Sequence, residues 1–556
     1  MKNVDLEGQP SRRRFLKAAI TGAAAAAVLP ATATASETQK HAAGNEPMHV
    51  PAFELDEMTL SQLEQAMQTG KYTSRKLCEL YLSRIREIDK NGPKLNSLIE
   101  INPDALSIAD ERDRERKAKG ARGPLHGIPI LIKDNIATAD RMQTTAGSLA
   151  MVGSRPPRDA AVVQRLRAAG AVILGKTNLS EWANLRSAHS TSGWSGRGGL
   201  TLMPYALNRN PSGSSSGSGV AVAANLCAVA VGTETDGSVV SPAAQSGIVG
   251  IKPTVGLVSR TGIIPISHNQ DTAGPMARTV ADTAVLLSAM AGVDPEDAAT
   301  KDAESKIEKD YTRFLDANSL KGARLGVVRK YAGFSLAVDR VFDVAIAVLK
   351  KAGAEIVDPV EIPTIGKFDD LELQVLLYDF KTDLNAYFQW LGMGATVKSM
   401  KEVIEFNERY RDTELRYFGQ DLMIQAEAKG PLTSDEYVRA LADCRRMSRA
   451  EGIDDAMDRL HLDAVIAPTQ APAWTNDLVN GDHTVGGCST LPAVAGYPHI
   501  TVPMGFVWEL PVGISFFGRA WSEGKLISLA YAYEQQSKTR KPPRFLPRLS
   551  LPGEGE

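Results

Sequence analysis

From about residue 128 onward, short and mostly apolar runs alternate with stretches whose apolar residues recur at helical spacing. The runs cover 128–132, 171–174, 220–231, 324–328 and 464–467. A run that is apolar at every position, and not only at alternate ones, predicts a strand buried on both faces. Such strands separated by helical segments predict an α/β chain: a large mixed sheet covered by helices on both faces, in α/β/α layers. Ahead of them, Leu63, Met67, Leu77, Leu80, Tyr81, Ile85 and Ile88 fall at helical spacing, with Thr73 or Ser74 as the cap between two helices. The segment 297–460 is mostly helical and more charged, broken by one βαβ-like stretch over 323–360. It predicts a helical insertion or cap within a domain spanning 51–540, followed by an irregular Pro-rich tail over 541–556.

The N-terminus follows a different pattern. Ser11-Arg12-Arg13-Arg14-Phe15-Leu16-Lys17 precedes a mildly apolar, Ala-rich stretch and then Ala31, Ala33 and Ala35 at spacings suited to signal peptidase. Residues 1–35 resemble a twin-arginine signal peptide cleaved near Ala33 or Ala35, and 36–50 read as a polar linker. The expected location is exported, periplasmic or extracellular, with the twin-arginine machinery as a transient partner. The Ala-rich stretch is too short and too weakly hydrophobic for a stable membrane span.

Composition narrows the chemistry. Lys+Arg 63 against Asp+Glu 65 gives a net charge of −2 without long single-sign blocks, which argues against a nucleic-acid partner. Cys78, Cys227, Cys444 and Cys488 are scattered with no CxxC spacing, and no HExxH occurs, so neither a metal site nor a disulfide framework is expected. Two short motif matches fail on physical grounds. Gly170 to Thr177 fits GxxxxGK[ST], but its interior is itself an apolar strand and not a flexible loop. Gly213-Ser214-Ser215-Ser216-Gly217 fits the GxSxG elbow, but the polar, Pro211-containing stretch before it is no buried strand.

Chemistry concentrates between Asn210 and Thr254. A hydroxyl-rich loop, Ser212 to Ser218, feeds into a segment of small apolar residues that ends in a second polar turn, Thr233-Glu234-Thr235-Asp236-Gly237-Ser238. Gly237 before Ser238 suits a backbone that aims successive N–H groups at one point, as an oxyanion hole requires.

This core resembles the amidase signature family. Supporting blocks stand in family order around it: Gly127 to Asn135, Thr144 to Ser148, Gly175-Lys176-Thr177-Asn178, Asp271-Thr272-Ala273-Gly274-Pro275-Met276, and Gly496-Tyr497-Pro498. The resemblance covers about 53–536 and implies the amidase signature fold and a Ser–cisSer–Lys triad. Ser238 matches the nucleophile, Ser214 the central serine after a cis peptide bond, and Lys133 the base. Backbone N–H groups of Thr235, Asp236, Gly237 and Ser238 match the oxyanion hole, and Ser215 a supporting hydrogen bond. No cofactor is implied. A lysine can act as a base only when neutral, and burial beneath the apolar run before Lys133 favours that form; Asp134 opposes it if its carboxylate points inward.

Departures from the family pattern carry information. The family turn has an aspartate and two glycines where this chain has Glu234, Asp236 and Gly237, and an arginine often stands where this chain has Val240. Val240 argues against a free acid near the scissile amide, and the turn looks most like those of peptide amidases, which hydrolyse C-terminally amidated peptides. The expected partner is therefore a peptide or small-molecule amide. Within the family, a fatty-acid or small aliphatic or aryl amide is the alternative substrate, because 370–430 is apolar enough for either a membrane-facing cap or ordinary packed helices. A non-catalytic binding protein on the same fold is the alternative from another class, which intact Lys133, Ser214 and Ser238 oppose.

Overall fold

The computed structural model describes residues 46–551, so the export signal expected over 1–35 and most of the linker over 36–50 lie outside the described residues. The strands are β1 (Leu98–Ile101), β2 (Pro129–Lys133), β3 (Val172–Thr177), β4 (Trp194–Ser195), β5 (Gly199–Leu200), β6 (Val229–Glu234) and β7 (Val249–Lys252). Then follow β8 (Thr272–Ala277), β9 (Arg324–Val327), β10 (Glu355–Val357), β11 (Ala464–Pro468), β12 (His499–Val507) and β13 (Leu510–Phe517). All but the small β4–β5 hairpin join one 11-stranded sheet in the order β1-β3-β2-β6-β8-β7-β12-β13-β11-β9-β10. The pairs β3–β2, β2–β6, β11–β9 and β9–β10 are parallel and the rest antiparallel. The expected large mixed sheet is therefore found.

Neighbouring residues of one strand enter different cores. Ala464 and Ile466 of β11 pack in one hydrophobic cluster and Val465 and Ala467 in another; Phe516 and Phe517 of β13 divide the same way. Both faces are thus sealed by other elements, which is why these strands are apolar at nearly every position.

One apolar run differs from its expectation. The segment 220–231, read as a single strand, divides into the end of a helix, Ser216–Ala223, and the start of β6. All eight helical residues are buried, so the helix has no polar face, and without a polar face periodicity cannot separate a buried helix from a buried strand. Asn225 makes the break, with φ 59 and its side chain donating to Asp56 (3.0 Å) and Glu57 (2.9 Å). Within 297–460, β9, the helix Leu336–Lys351 and β10 form a parallel βαβ unit at the sheet edge. Beyond it come the helices Asp369–Leu391, Met400–Arg409, Asp421–Glu427 and Asp435–Ser448. The apolar residues of the Asp369–Leu391 helix largely face inward: Phe380, Leu384 and Phe388 are buried in a third cluster with Met151 and Trp182. Among the described residues no helix is long and apolar enough to cross a membrane. Residues 541–551 form no helix or strand, yet Phe545, Leu546 and Leu549 are buried.

Glycine lets the Ser216–Ala223 helix approach its neighbours. A Cβ on Gly217 would lie 2.2 Å from the Ser97 carbonyl oxygen and 2.5 Å from that of Asn178, both backbone atoms. Gly217→Ala should destabilise the protein by about 2–3 kcal/mol, read as a lowered urea midpoint. Gly123→Ala, with nothing within 4 Å, should stay within about 0.5 kcal/mol.

Candidate active site

Two parallel neighbours, β2 and β6, end side by side, in register through Leu131 with Ala230 and Ile132 with Val231. Carboxyl ends of parallel strands are where α/β sheets collect ligands. Lys133, the last residue of β2, is fully buried. Its Nζ donates to Ser214 Oγ (2.7 Å), Thr233 Oγ1 (2.9 Å) and the Thr233 carbonyl (3.2 Å). All three partners are neutral. Burial pushes the amine from 10.5 down to about 7, while Asp271 and Glu234 pull the other way. Asp134 does not compensate it. Its carboxylate turns to Thr145, to the Gly147 N–H (3.2 Å) and to Arg197 (3.3 Å).

Ser214 follows a cis Gly213–Ser214 peptide and is fully buried. Ser215 ties the two hydroxyl-rich turns together: its N–H donates to the Ser238 carbonyl (3.2 Å), and its Oγ donates to the Thr233 carbonyl (3.0 Å) and accepts from the Thr233 N–H (3.1 Å). Ser215 is thus an internal tie and not an elbow nucleophile. Similarly, Gly175, Lys176 and Thr177 lie within β3, which accounts for the misleading phosphate-loop match.

Ser238 opens the segment leading into the short helix Val240–Gln245. Among the described residues no protein acceptor takes the backbone N–H of Thr235, Asp236, Gly237 or Ser238. Four consecutive donors are therefore left free, an arrangement suited to a developing oxyanion. The turn is held at its far end by Glu234, whose Oε2 accepts from the N–H groups of Val239 (2.8 Å) and Val240 (3.1 Å). Burial raises the Glu234 carboxyl, opposed by Lys252 and those two donors. Asp236 turns away to accept from Thr490 Oγ1 (2.7 Å), and burial raises its carboxyl as well.

Three residues at this site were not singled out by sequence. Thr233 joins Lys133, Ser215 and Asn135, whose Nδ2 donates to Thr233 Oγ1 (3.0 Å). Its signal was a hydroxyl at the end of an otherwise apolar buried strand, where a polar group needs partners. Gln270 and Asp271 both contact Thr235; Asp271 opens a block recognised only by its order in the chain, and Gln270 lies just before it. A cavity of about 600 Å³ meets the turn at Thr233, Glu234 and Thr235 and runs between Ile263, Ile266, Tyr387 and Trp390. Among the described residues no group of three His, Cys, Asp or Glu side chains could hold a metal ion.

The family model described as Amidase matches residues 76–527. The chain belongs to this family. It is 44% identical over 504 residues to a probable amidase of Arabidopsis thaliana, covering 89% of this chain and 93% of the relative. Among solved structures it is similar to native peptide amidase from Stenotrophomonas maltophilia: TM-score 0.85, 51% identity, 89% of this chain and all of the other. An amidase family protein from Bacillus anthracis has TM-score 0.80 and 39% identity, over 88% of this chain and 93% of the other. The protein is an amidase, a hydrolase of amide bonds.

In this amidase the turn before Ser238 crowds a side chain at Gly237, which has φ 75 and would place a Cβ 2.8 Å from Ser489 Oγ. Gly237→Ala should cost about 1–3 kcal/mol of stability through left-handed strain alone. Urea unfolding checks the loss, and amide hydrolysis should fall at least about tenfold with the displaced donors.

Proposed function

We propose that this amidase hydrolyses C-terminally amidated peptides or amino-acid amides to the carboxylate and ammonia through Lys133, Ser214 and Ser238. The observation that carries the reading is the 2.7 Å contact between Lys133 Nζ and Ser214 Oγ in a fully buried setting without a paired carboxylate. Such an amine sheds its proton near pH 7, where a free lysine stays charged, and its neutral form can act as a base. In the proposed sequence Ser238 Oγ attacks the amide carbonyl carbon, its proton passes to Ser214, and the Ser214 proton passes to Lys133. The oxyanion is met by the free N–H groups of Thr235, Asp236, Gly237 and Ser238. As the C–N bond breaks, the same relay returns the proton to the leaving nitrogen, and ammonia departs. Water then attacks the acyl-Ser238 ester, gives up a proton along the same route, and the acid leaves as Ser238 regains its proton.

Two things support a peptide amide over a fatty one. The chain is 51% identical to a peptide amidase over 89% of its length, and the cavity lining includes the polar side chains Arg260, His268 and Asp383, which suit a peptide backbone better than an alkyl tail. We also propose that residues 1–35 direct export, on the strength of the twin-arginine pattern alone.

Ammonia release from a C-terminally amidated peptide should exceed that from an N-acylethanolamine or a simple acyl amide. Ser238→Ala should abolish it without changing the thermal midpoint by more than a few degrees. Lys133→Ala and Ser214→Ala should each cost nearly as much, because members of one relay act as a unit. Preference for the fatty substrate would overturn the substrate assignment, and near-normal turnover by Lys133→Ala would overturn the relay. The base works only when unprotonated, so kcat should be flat above the Lys133 pKa of about 7 and fall about tenfold per pH unit below it.

A further inference from the structure

The far end of the Ser238 turn is held by Glu234 and by bonds to the Gly237 and Ser238 carbonyls, and its near end is held from outside. The turn begins at Thr235, and two adjacent residues from the loop before β8 hold it. Gln270 Nε2 donates to the Thr235 carbonyl (3.4 Å), and Asp271 Oδ1 accepts from Thr235 Oγ1 (2.6 Å). A trans peptide sets its C=O and N–H in opposite directions. Holding the Thr235 carbonyl therefore holds the N–H of Asp236, which points the other way. Resting on the triad and oxyanion reading above, we propose that Gln270 and Asp271 are positioning residues: they clasp Thr235 and aim the oxyanion donors, and they tie that turn to the wall of the substrate cavity.

The other ends of the clasp reach the cavity. Asp271 Oδ2 accepts from the N–H groups of Ile266 (2.7 Å) and Ser267 (2.9 Å), and both residues line the cavity. Gln270 Nε2 also donates to Glu372 Oε1 (2.8 Å) at the start of the Asp369–Leu391 helix, which supplies Tyr387 and Trp390 to the same cavity. The loop between is fastened too: Ser267 Oγ (2.6 Å) and Asn269 Nδ2 (2.8 Å) both donate to Asp379 on that helix. A substrate seated against Ile266 therefore bears on the loop that orients Thr235. Because aligned donors act on the oxyanion and not on the ground-state amide, the clasp contributes to kcat more than to KM.

The test is a set of variants assayed on a C-terminal peptide amide and against a peptide aldehyde, whose hemiacetal oxygen occupies the oxyanion position. Thr235→Val and Gln270→Met should each lower kcat about ten- to hundredfold, keep KM within about threefold, and weaken aldehyde inhibition in step with kcat/KM. Thr235→Ser, which keeps the hydroxyl, should recover at least tenfold of the Thr235→Val loss.

Asp271→Asn adds a pH signature. The Lys133 amine faces two carboxylates, Asp271 and Glu234, and Asp271 itself faces Arg260. Removing the Asp271 charge leaves less to stabilise protonated Lys133, so the acid limb of kcat should move to lower pH, whereas Thr235→Val should leave it in place. If Thr235→Val and Gln270→Met stay within threefold of the parent in kcat and in aldehyde affinity while Ser238→Ala is inactive, the clasp is wrong and the triad stands. If Ser238→Ala retains activity, the underlying reading falls. Should Asp271→Asn fail to fold, the Thr235 and Gln270 variants decide the question.

Discussion

Lys133 is a fully buried amine at the end of a central strand with no carboxylate bonded to it, and the rest of the site follows from that burial. A charged ammonium there would lose its hydration and gain only neutral partners, Ser214 and Thr233. The charged form is therefore disfavoured, and the amine becomes a base in the neutral range. The fold bears the cost. An unfolded chain holds this proton up to about pH 10.5, the folded chain only to about 7, so the buried lysine destabilises the fold below that window, and the penalty shrinks as pH rises through it. Asp134, the adjacent acid in sequence, is kept out of the arrangement by its own partners at Thr145, Gly147 and Arg197.

Topology supplies the burial. Putting β2 between β3 and β6, both parallel to it, surrounds the Lys133 end of the strand on both sides within the sheet. The helix Ser216–Ala223, built from Gly, Ser, Ala and Val, packs closely enough to bring Ser214 and Ser215 against β6. Hydroxyls supply the direct partners around the amine: Ser214 and Thr233 meet Lys133 Nζ, and Ser215 bonds the Thr233 backbone. Two carboxylates act on the amine without bonding to it: Asp271 accepts from Thr235 Oγ1, and Glu234, next to Thr233 in sequence, accepts from the N–H groups of Val239 and Val240.

What could be read from sequence follows the same physics. Apolar runs marked β2, β3, β9 and β11, because strands buried on both faces confine their polar residues to the ends. The identical property concealed the Ser216–Ala223 helix, whose small residues are buried all round. Ser214 and Ser238 were found through motifs in which each stands beside glycines and hydroxyls, and Lys133 through the block Gly127 to Asn135, where it ends an apolar run. Thr233, Gln270 and Asp271 carried no such mark. Their contributions are hydrogen bonds across tens of residues, 100 between Lys133 and Thr233 and 36 between Thr235 and Asp271, and only the folded topology brings those partners together. The polar part of the cavity lining is likewise assembled from the loop around His268 and from the helix that carries Asp383, segments separated by more than 100 residues in sequence.

The central claim is that Lys133 gives up its proton near pH 7 in the folded protein, about where a surface lysine is still fully charged. Lysine side chains labelled with ¹³C at Cε report their own protonation by NMR, and comparison with Lys133→Arg assigns the resonance. The account predicts one Cε signal, missing from the variant, that titrates near pH 7 while surface lysines titrate above 10. A Lys133 signal that stays in its protonated position up to pH 10 would contradict it.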